Sequence, residues 1–124
     1  MGVSGARPAG QVNDDRLRFA SDAARMHGAI TVLKGAGTVV TDGGEAWIHP
    51  YADPTLGVAG SGDVLAGVIA ARLAERREIA AIEAVNEAVH AHGRAGERVH
   101  AARGAVRGAL ASEIADAVSA ALEG

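Results

Sequence analysis

A chain of 124 residues has room for one small domain and no more. Its formal charge of −3 comes from interspersed acids and bases with no basic stripe, which argues against nucleic-acid binding. With no cysteine, disulfides and thiolate chemistry are excluded, a composition that fits a reducing compartment.

Hydrophobic residues make up 48% of the chain but aromatic ones only 2%, so the core must be built from Ala, Val, Leu and Ile. Alanine buries little area, and burial is worth roughly 25 cal/mol per Å². No apolar run approaches the roughly 20 residues needed to cross a bilayer. The first residues, Met1 to Pro8, lack the apolar centre of a signal peptide. The expectation is therefore a soluble cytoplasmic protein without a membrane segment.

Residues 1–12 are rich in Gly, Ala and Pro and read as an irregular segment preceding a domain over 13–124. Asn13 and Asp14 are suited to cap a helix over Asp15–His27, with Leu17, Ala20, Ala24 and Met26 on its apolar face and Gly28 ending it. Ala29–Leu33 is a short apolar run of the kind buried in parallel or mixed sheets. Thr38–Thr41 and Glu45–His49 flank Asp42-Gly43-Gly44, a strong hairpin signal, in which Trp47 reads as a packing residue.

Pro50–Gly60 reads as a loop with a turn at Asp53-Pro54. A helix is expected over Gly62–Arg76, with Val64, Leu65, Val68, Ile69 and Leu73 facing inward, and Glu75 to Glu78 as a solvated junction. Ile79–His92 predicts a second helix and Ala95–Ala102 a third, followed by a glycine-containing loop over Arg103–Leu110. Ser112 is placed to cap a last helix carrying Ile114, Ala117, Val118 and Leu122. Strands come first and helices follow, so the chain reads as part of an α/β sandwich rather than a complete alternating set.

The chemistry concentrates where Thr55-Leu56-Gly57-Val58-Ala59-Gly60-Ser61-Gly62-Asp63 runs into the helical pattern Val64-Leu65-Ala66-Gly67. A helix start carries backbone N–H groups without partners and the positive end of the helix dipole. Glycines let an anion approach closely, which makes a phosphate site. Asp63 beside it could accept a proton from a hydroxyl attacking a phosphoryl group. Taken alone, Asp63 is equally an acidic residue favoured in a first helical turn. Lys34, between a strand and two glycines, offers an amine beside a turn, and by itself reads first as a surface lysine at a strand end followed by an ordinary turn. The five histidines form no metal signature; His90 and His92 lie two apart and do not share a helix face, and His27 and His49 read as incidental.

Three motifs in order carry a resemblance. Leu33-Lys34-Gly35-Ala36-Gly37-Thr38 matches L-K-G-x-x-T, Gly60 to Gly67 reads G-S-G-D-V-L-A-G, and His92-Gly93-Arg94-Ala95-Gly96 matches H-G-x-A-G. Together they resemble the ADP- or ATP-dependent NAD(P)H-hydrate dehydratases of the ribokinase-like superfamily, from about Asp14 onward. The resemblance implies the nucleotide-binding, C-terminal half of a three-layer α/β sandwich: a short mixed sheet with a hairpin, then packed helices. It also implies that Lys34, Gly35, Ala36, Gly37 and Thr38 lie beside the nucleotide. Gly60, Ser61 and Gly62 then form the anion hole, and His92 packs at a helix end nearby.

In such an enzyme the hydroxyl of a hydrated nicotinamide is phosphorylated and then eliminated. Asp63 would contact that hydroxyl and act as the base, ADP or ATP would supply the phosphoryl group, and Mg²⁺ is expected with the nucleotide although no carboxylate cage is visible. The substrate implied is hydrated NAD(P)H.

The sequence also departs from the pattern. Nothing matches the family's P-H-P-G-E segment, which helps hold the hydrated nicotinamide. The G-N-P-x-L loop appears as Ala52-Asp53-Pro54-Thr55-Leu56, and the S/T-D near the end as Ser112-Glu113. A C-terminal portion of the dehydratase is the simplest account, with an exposed sheet edge covered by a second copy in a homo-oligomer or by a complementing N-terminal half. A ribokinase-like small-molecule kinase and a non-catalytic nucleotide-binding remnant are the alternatives.

Overall fold

A computed structural model describes residues 7–8, 14–75 and 77–123. Of segment 1–12, only Arg7–Pro8 is described, as strand β1; the cap proposed at Asn13 lies outside the described residues, as does Arg76.

Helix α1 spans Asp14–His27. It stops where Gly28 adopts φ +59° and Ala29 N–H closes onto the Ala24 carbonyl at 3.1 Å, the six-residue bond of a Schellman ending. Three strands follow, β2 (Thr31–Leu33), β3 (Thr38–Thr41) and β4 (Ala46–His49). The β3–β4 turn is held by Asp42, whose Oδ1 accepts from Gly44 N–H and Glu45 N–H while Gly43 takes φ +97°. Those backbone donors hold the Asp42 carboxyl below its usual range.

The sheet order is β1-β4-β3-β2, and every pairing among the described strands is antiparallel where a mixed sheet was expected. Short turns join β2 to β3 and β3 to β4, and a short turn returns a strand antiparallel beside its predecessor. β2 is half-exposed rather than fully buried, because it lies at the sheet edge with β3 as its one described neighbour.

Register explains which residues face where. Leu33, Val39 and Ile48 form one cross-strand row, and with Ala20 and Leu17 of α1 they make the core on one side of the sheet. Val32, Val40 and Trp47 form the adjacent row, and Val40 packs with Leu65, Val85 and Val89 on the other side. Successive residues of a strand point to opposite faces, so consecutive valines feed two different cores. The result is an α/β/α sandwich.

That second side is built by α2 (Ser61–Ala74), α3 (Ala81–Arg103) and α4 (Ala111–Glu123). A third cluster of Ala91, Ala95, Val99, Ile114 and Val118 joins α3 to α4, with Val64 and Val68 of α2 against it. Small residues let these helices approach closely, which is how an alanine-rich chain with few aromatics still packs.

The two helices expected over Ile79–His92 and Ala95–Ala102 are one continuous α3. Gly93 and Gly96, the signal for a break, are instead positions of close approach: a Cβ at Gly93 would overlap the Tyr51 ring, and one at Gly96 would overlap Leu56. Helix α3 ends at Gly104, with φ +71°. Ser112 lies inside α4 and does not cap it. Glu113 does that work, its Oε1 accepting from Leu110 N–H at 2.9 Å. Met26, Leu73 and Leu122, expected inward, are exposed, each in the last turn of its helix. No helix among the described residues is long and apolar enough to cross a membrane.

Candidate functional site

A single-turn 3-10 helix at Pro54–Gly57 leads into the start of α2. Its cap is Asp53, whose Oδ1 accepts from Thr55 N–H at 2.9 Å while Oδ2 meets His100 Nδ1 at 2.8 Å. Burial pushes the Asp53 carboxyl up, but the Thr55 donors and His100 together hold it below its usual range. The loop is thus tied to α3 at three heights, through Tyr51 over Gly93, Leu56 over Gly96 and Asp53 to His100.

Gly60 turns the chain into α2 with φ +87° and caps it without a side chain. Its carbonyl accepts from Val64 N–H at 3.1 Å, while Ser61 N–H is engaged by the Val58 carbonyl. The N–H groups of Gly62 and Asp63 therefore stand in the first helical turn at the positive end of the dipole. Lys34, at the end of β2, reaches this place. A Cβ on Gly62 would lie 2.5 Å from Lys34 Nζ, so a side chain larger than hydrogen would displace the amine. Among the described residues no hydrogen bond or ion pair engages that amine.

Beneath these groups is a cavity of about 250 Å³ lined by Lys34, Gly35, Thr38, His49, Tyr51 and His92, among others. Two buried histidines belong to its wall. His92 Nε2 lies 3.1 Å from both the hydroxyl and the carbonyl of Ser61. A carbonyl only accepts, so Nε2 carries the hydrogen. Burial lowers the His92 pKa, the Ser61 backbone contact opposes this, and the Lys34 charge lowers it further.

His49 is fully buried, with Nε2 at 2.7 Å from Asn86 Oδ1, and Asn86 Nδ2 donates to the Ile82 carbonyl at 3.1 Å. The Asn86 orientation makes His49 Nε2 the donor and leaves Nδ1 as an acceptor, with no partner among the described residues. Burial is again the main cause of its lowered pKa. Tyr51 completes the wall, its hydroxyl hydrogen-bonded with His90 Nδ1 at 2.7 Å.

Of the expected site residues, Lys34, Gly35, Ala36 and Thr38 line this cavity. Gly37, Gly60, Ser61 and Gly62 do not, and the start of α2 meets the cavity wall through Gly62 against the Lys34 amine and Ser61 against His92. Asp63 does not line that cavity; it is exposed in a shallow depression between α2 and α4. His92, expected to pack at a helix end, lies in mid-helix and reaches the start of α2 at Ser61.

A family profile described as NAD(P)H-hydrate dehydratase matches residues 4–119. The chain belongs to the NAD(P)H-hydrate dehydratase family. It is similar to the bifunctional NAD(P)H-hydrate repair enzymes of Moorella thermoacetica, 35% identical over 87% of this chain and 20% of the relative, and of Thermanaerovibrio acidaminovorans, 42% identical over 89% of this chain and 21% of the relative. Its fold is similar to that of the ADP/ATP-dependent NAD(P)H-hydrate dehydratase from Bacillus subtilis, co-crystallized with ATP and Mg²⁺ and soaked with CoA. That match has a TM-score of 0.79 and 29% identity, covering 89% of this chain and 40% of the other. The fold is the ribokinase-like sandwich, and the chain spans about a fifth of the length of these curated relatives.

For this member of the dehydratase family, motif reading missed His49, Tyr51 and Asn86. His49 was read as incidental, yet it is buried and paired. A signal was present: β4 reads Ala-Trp-Ile-His in a sheet covered on both faces, so a polar residue there needs an internal partner.

Proposed function

We propose that this chain carries the nucleotide site for ADP- or ATP-dependent dehydration of hydrated NAD(P)H. The observation that carries this reading is the Lys34 amine lying against Gly62 at the start of α2, above a cavity. A cation, first-turn N–H donors and glycines without side chains suit a phosphate chain. His49, whose Nδ1 has no partner among the described residues, lies in the cavity wall, so the residues present fit the group.

In this proposal Lys34, Gly35, Ala36, Gly37 and Thr38 line the nucleotide, and Gly60, Ser61 and Gly62 receive its phosphates. When bound, ADP or ATP supplies the phosphoryl group that converts the ring hydroxyl into a leaving group. Lys34 offsets phosphate charge at the helix start. Asp63 binds the substrate hydroxyl and takes its proton; its position outside the cavity, one residue beyond the anion-binding glycines, suits a group that meets a second ligand. Mg²⁺ would be held chiefly by phosphate oxygens, since no group of three His, Asp or Glu side chains among the described residues is arranged to hold a metal. Cytoplasmic location is part of the same reading, as is a partner in the form of a second copy or a complementing N-terminal half.

The test is recovery of reduced-nicotinamide absorbance from hydrated NADH with Mg²⁺ and either ADP or ATP. A nucleotide-dependent rise supports the reading. A folded sample that shows no rise, alone or mixed with a family N-terminal half, and no ADP binding by calorimetry, overturns it. Mass measured against concentration separates self-association from a strict monomer.

A further inference from the structure

The β2–β3 turn owes its shape to a residue outside it. From α1, Arg16 Nη1 donates to the carbonyls of Ala36 and Gly37, each at 2.9 Å, and Nη2 to those of Leu33 and Lys34 at 3.3 and 3.2 Å. The remaining carbonyl, that of Gly35, accepts from Thr38 Oγ1 at 3.1 Å. Five consecutive carbonyls, from Leu33 to Gly37, are thus bound within the chain. Gly35 and Gly37 adopt φ +141° and +73°, and a Cβ at Gly35 would lie 3.1 Å from Arg16 Nη2. Glycine there serves both the left-handed backbone and the guanidinium's approach.

We propose that Arg16 is a positioning residue for the turn. By gathering its carbonyls on the α1 side, Arg16 leaves N–H groups as what the turn can offer a ligand. Carbonyl oxygens facing a nucleotide's phosphates or ribose oxygens would repel them, whereas successive N–H groups make an anion-binding concavity. A planar guanidinium with five donors can hold four carbonyls of one turn at once; a lysine amine has three donors and no fixed plane. This role rests on the proposal that the turn lines a nucleotide. It goes beyond that proposal because Arg16 lies outside every motif that suggested the site.

Two readouts on the intact chain test it: amide exchange at Gly35, Ala36 and Gly37, and MgADP affinity by calorimetry, for Arg16→Met and Arg16→Lys. The expected result is exchange at these amides faster by roughly tenfold or more, with α3 amides unchanged, and ADP binding weaker by at least about tenfold, the equivalent of 1.4 kcal/mol. Arg16→Lys should recover little of either and keeps the measurement available if Arg16→Met fails to fold. Unchanged turn exchange overturns the inference, and so does faster exchange with unchanged ADP affinity. If the unaltered chain binds no ADP, the nucleotide reading falls, and faster exchange in the variants still upholds Arg16 as the organiser of the turn.

Discussion

His92, in the middle of α3, holds the first residue of α2: its Nε2–H faces the Ser61 carbonyl, and Ser61 Oγ is equally close at 3.1 Å. The contact fixes where α2 begins, and hence where the N–H groups of Gly62 and Asp63 stand. Replacing His92 by Phe should leave the buried Ser61 hydroxyl without its partner and destabilise the chain by about 1–3 kcal/mol in denaturant unfolding. ADP affinity should weaken in parallel. Unchanged stability would show that water replaces the imidazole without loss.

Acidification should destabilise the fold earlier than carboxylate titration alone would. His49, His90 and His92 all have pKa values lowered from 6.5, chiefly by burial. The unfolded chain then binds more protons than the folded one between the lowered values and 6.5. Stability is therefore complete above pH 6.5 and falls below it, by at most about 1.4 kcal/mol per pH unit for each histidine. Thermal midpoints flat between pH 7 and 8 and declining from about pH 6.5 are expected. His49→Gln should flatten the decline, and a midpoint independent of pH down to the carboxylate range would contradict this account.

Gly93→Ala and Gly96→Ala set two effects against each other. Helix propensity favours alanine by about 1 kcal/mol in a helix interior. Overpacking against Tyr51 or Leu56 costs typically about 1–3 kcal/mol, and here the clash falls on the Tyr51 ring and Cβ at Gly93 and on both Cδ2 and Cγ of Leu56 at Gly96. Both variants should therefore be less stable than the parent. Adding Leu56→Ala to Gly96→Ala should recover part of the loss; without recovery, the clash is not the cause.

Asp63→Asn should keep ADP binding and reduce dehydration in any active form of the enzyme by roughly 10²–10⁴-fold, the range expected for losing a positioned base. Turnover close to the parent's would remove Asp63 from the mechanism.

Asp53→Ala removes the cap of the 3-10 turn and its tie to His100, and should cost about 1 kcal/mol. Exchange should quicken at Thr55 to Val58 while β3 amides stay protected. Uniform loosening would mean the loop is not a separate unit.

Much of this was legible beforehand, for identifiable reasons. The hairpin at Asp42-Gly43-Gly44, the stop at Gly28 and the start of α2, expected at Gly62 and found at Ser61, depend on local backbone preferences, which a few neighbouring residues encode. The Lys34 and Gly60 motifs were visible because glycine announces where backbone must be bare, and the structure sets Gly62 against the Lys34 amine. The break expected near Gly93 was wrong because glycine permits both a helix end and a close approach. Only the presence of Tyr51 and Leu56 across α3, some forty residues earlier in the chain, chose the second.

By itself, then, the sequence determined the family motifs, the strand-then-helix order and the glycine-bounded turns, since each is written in short-range chemistry. Tertiary structure alone decided that His49 meets Asn86, that His92 holds Ser61, and that Arg16 gathers the carbonyls of a turn about twenty residues away. Those contacts depend on which faces the sheet and helices turn toward one another. That is settled by the burial of whole elements together, which no single segment records.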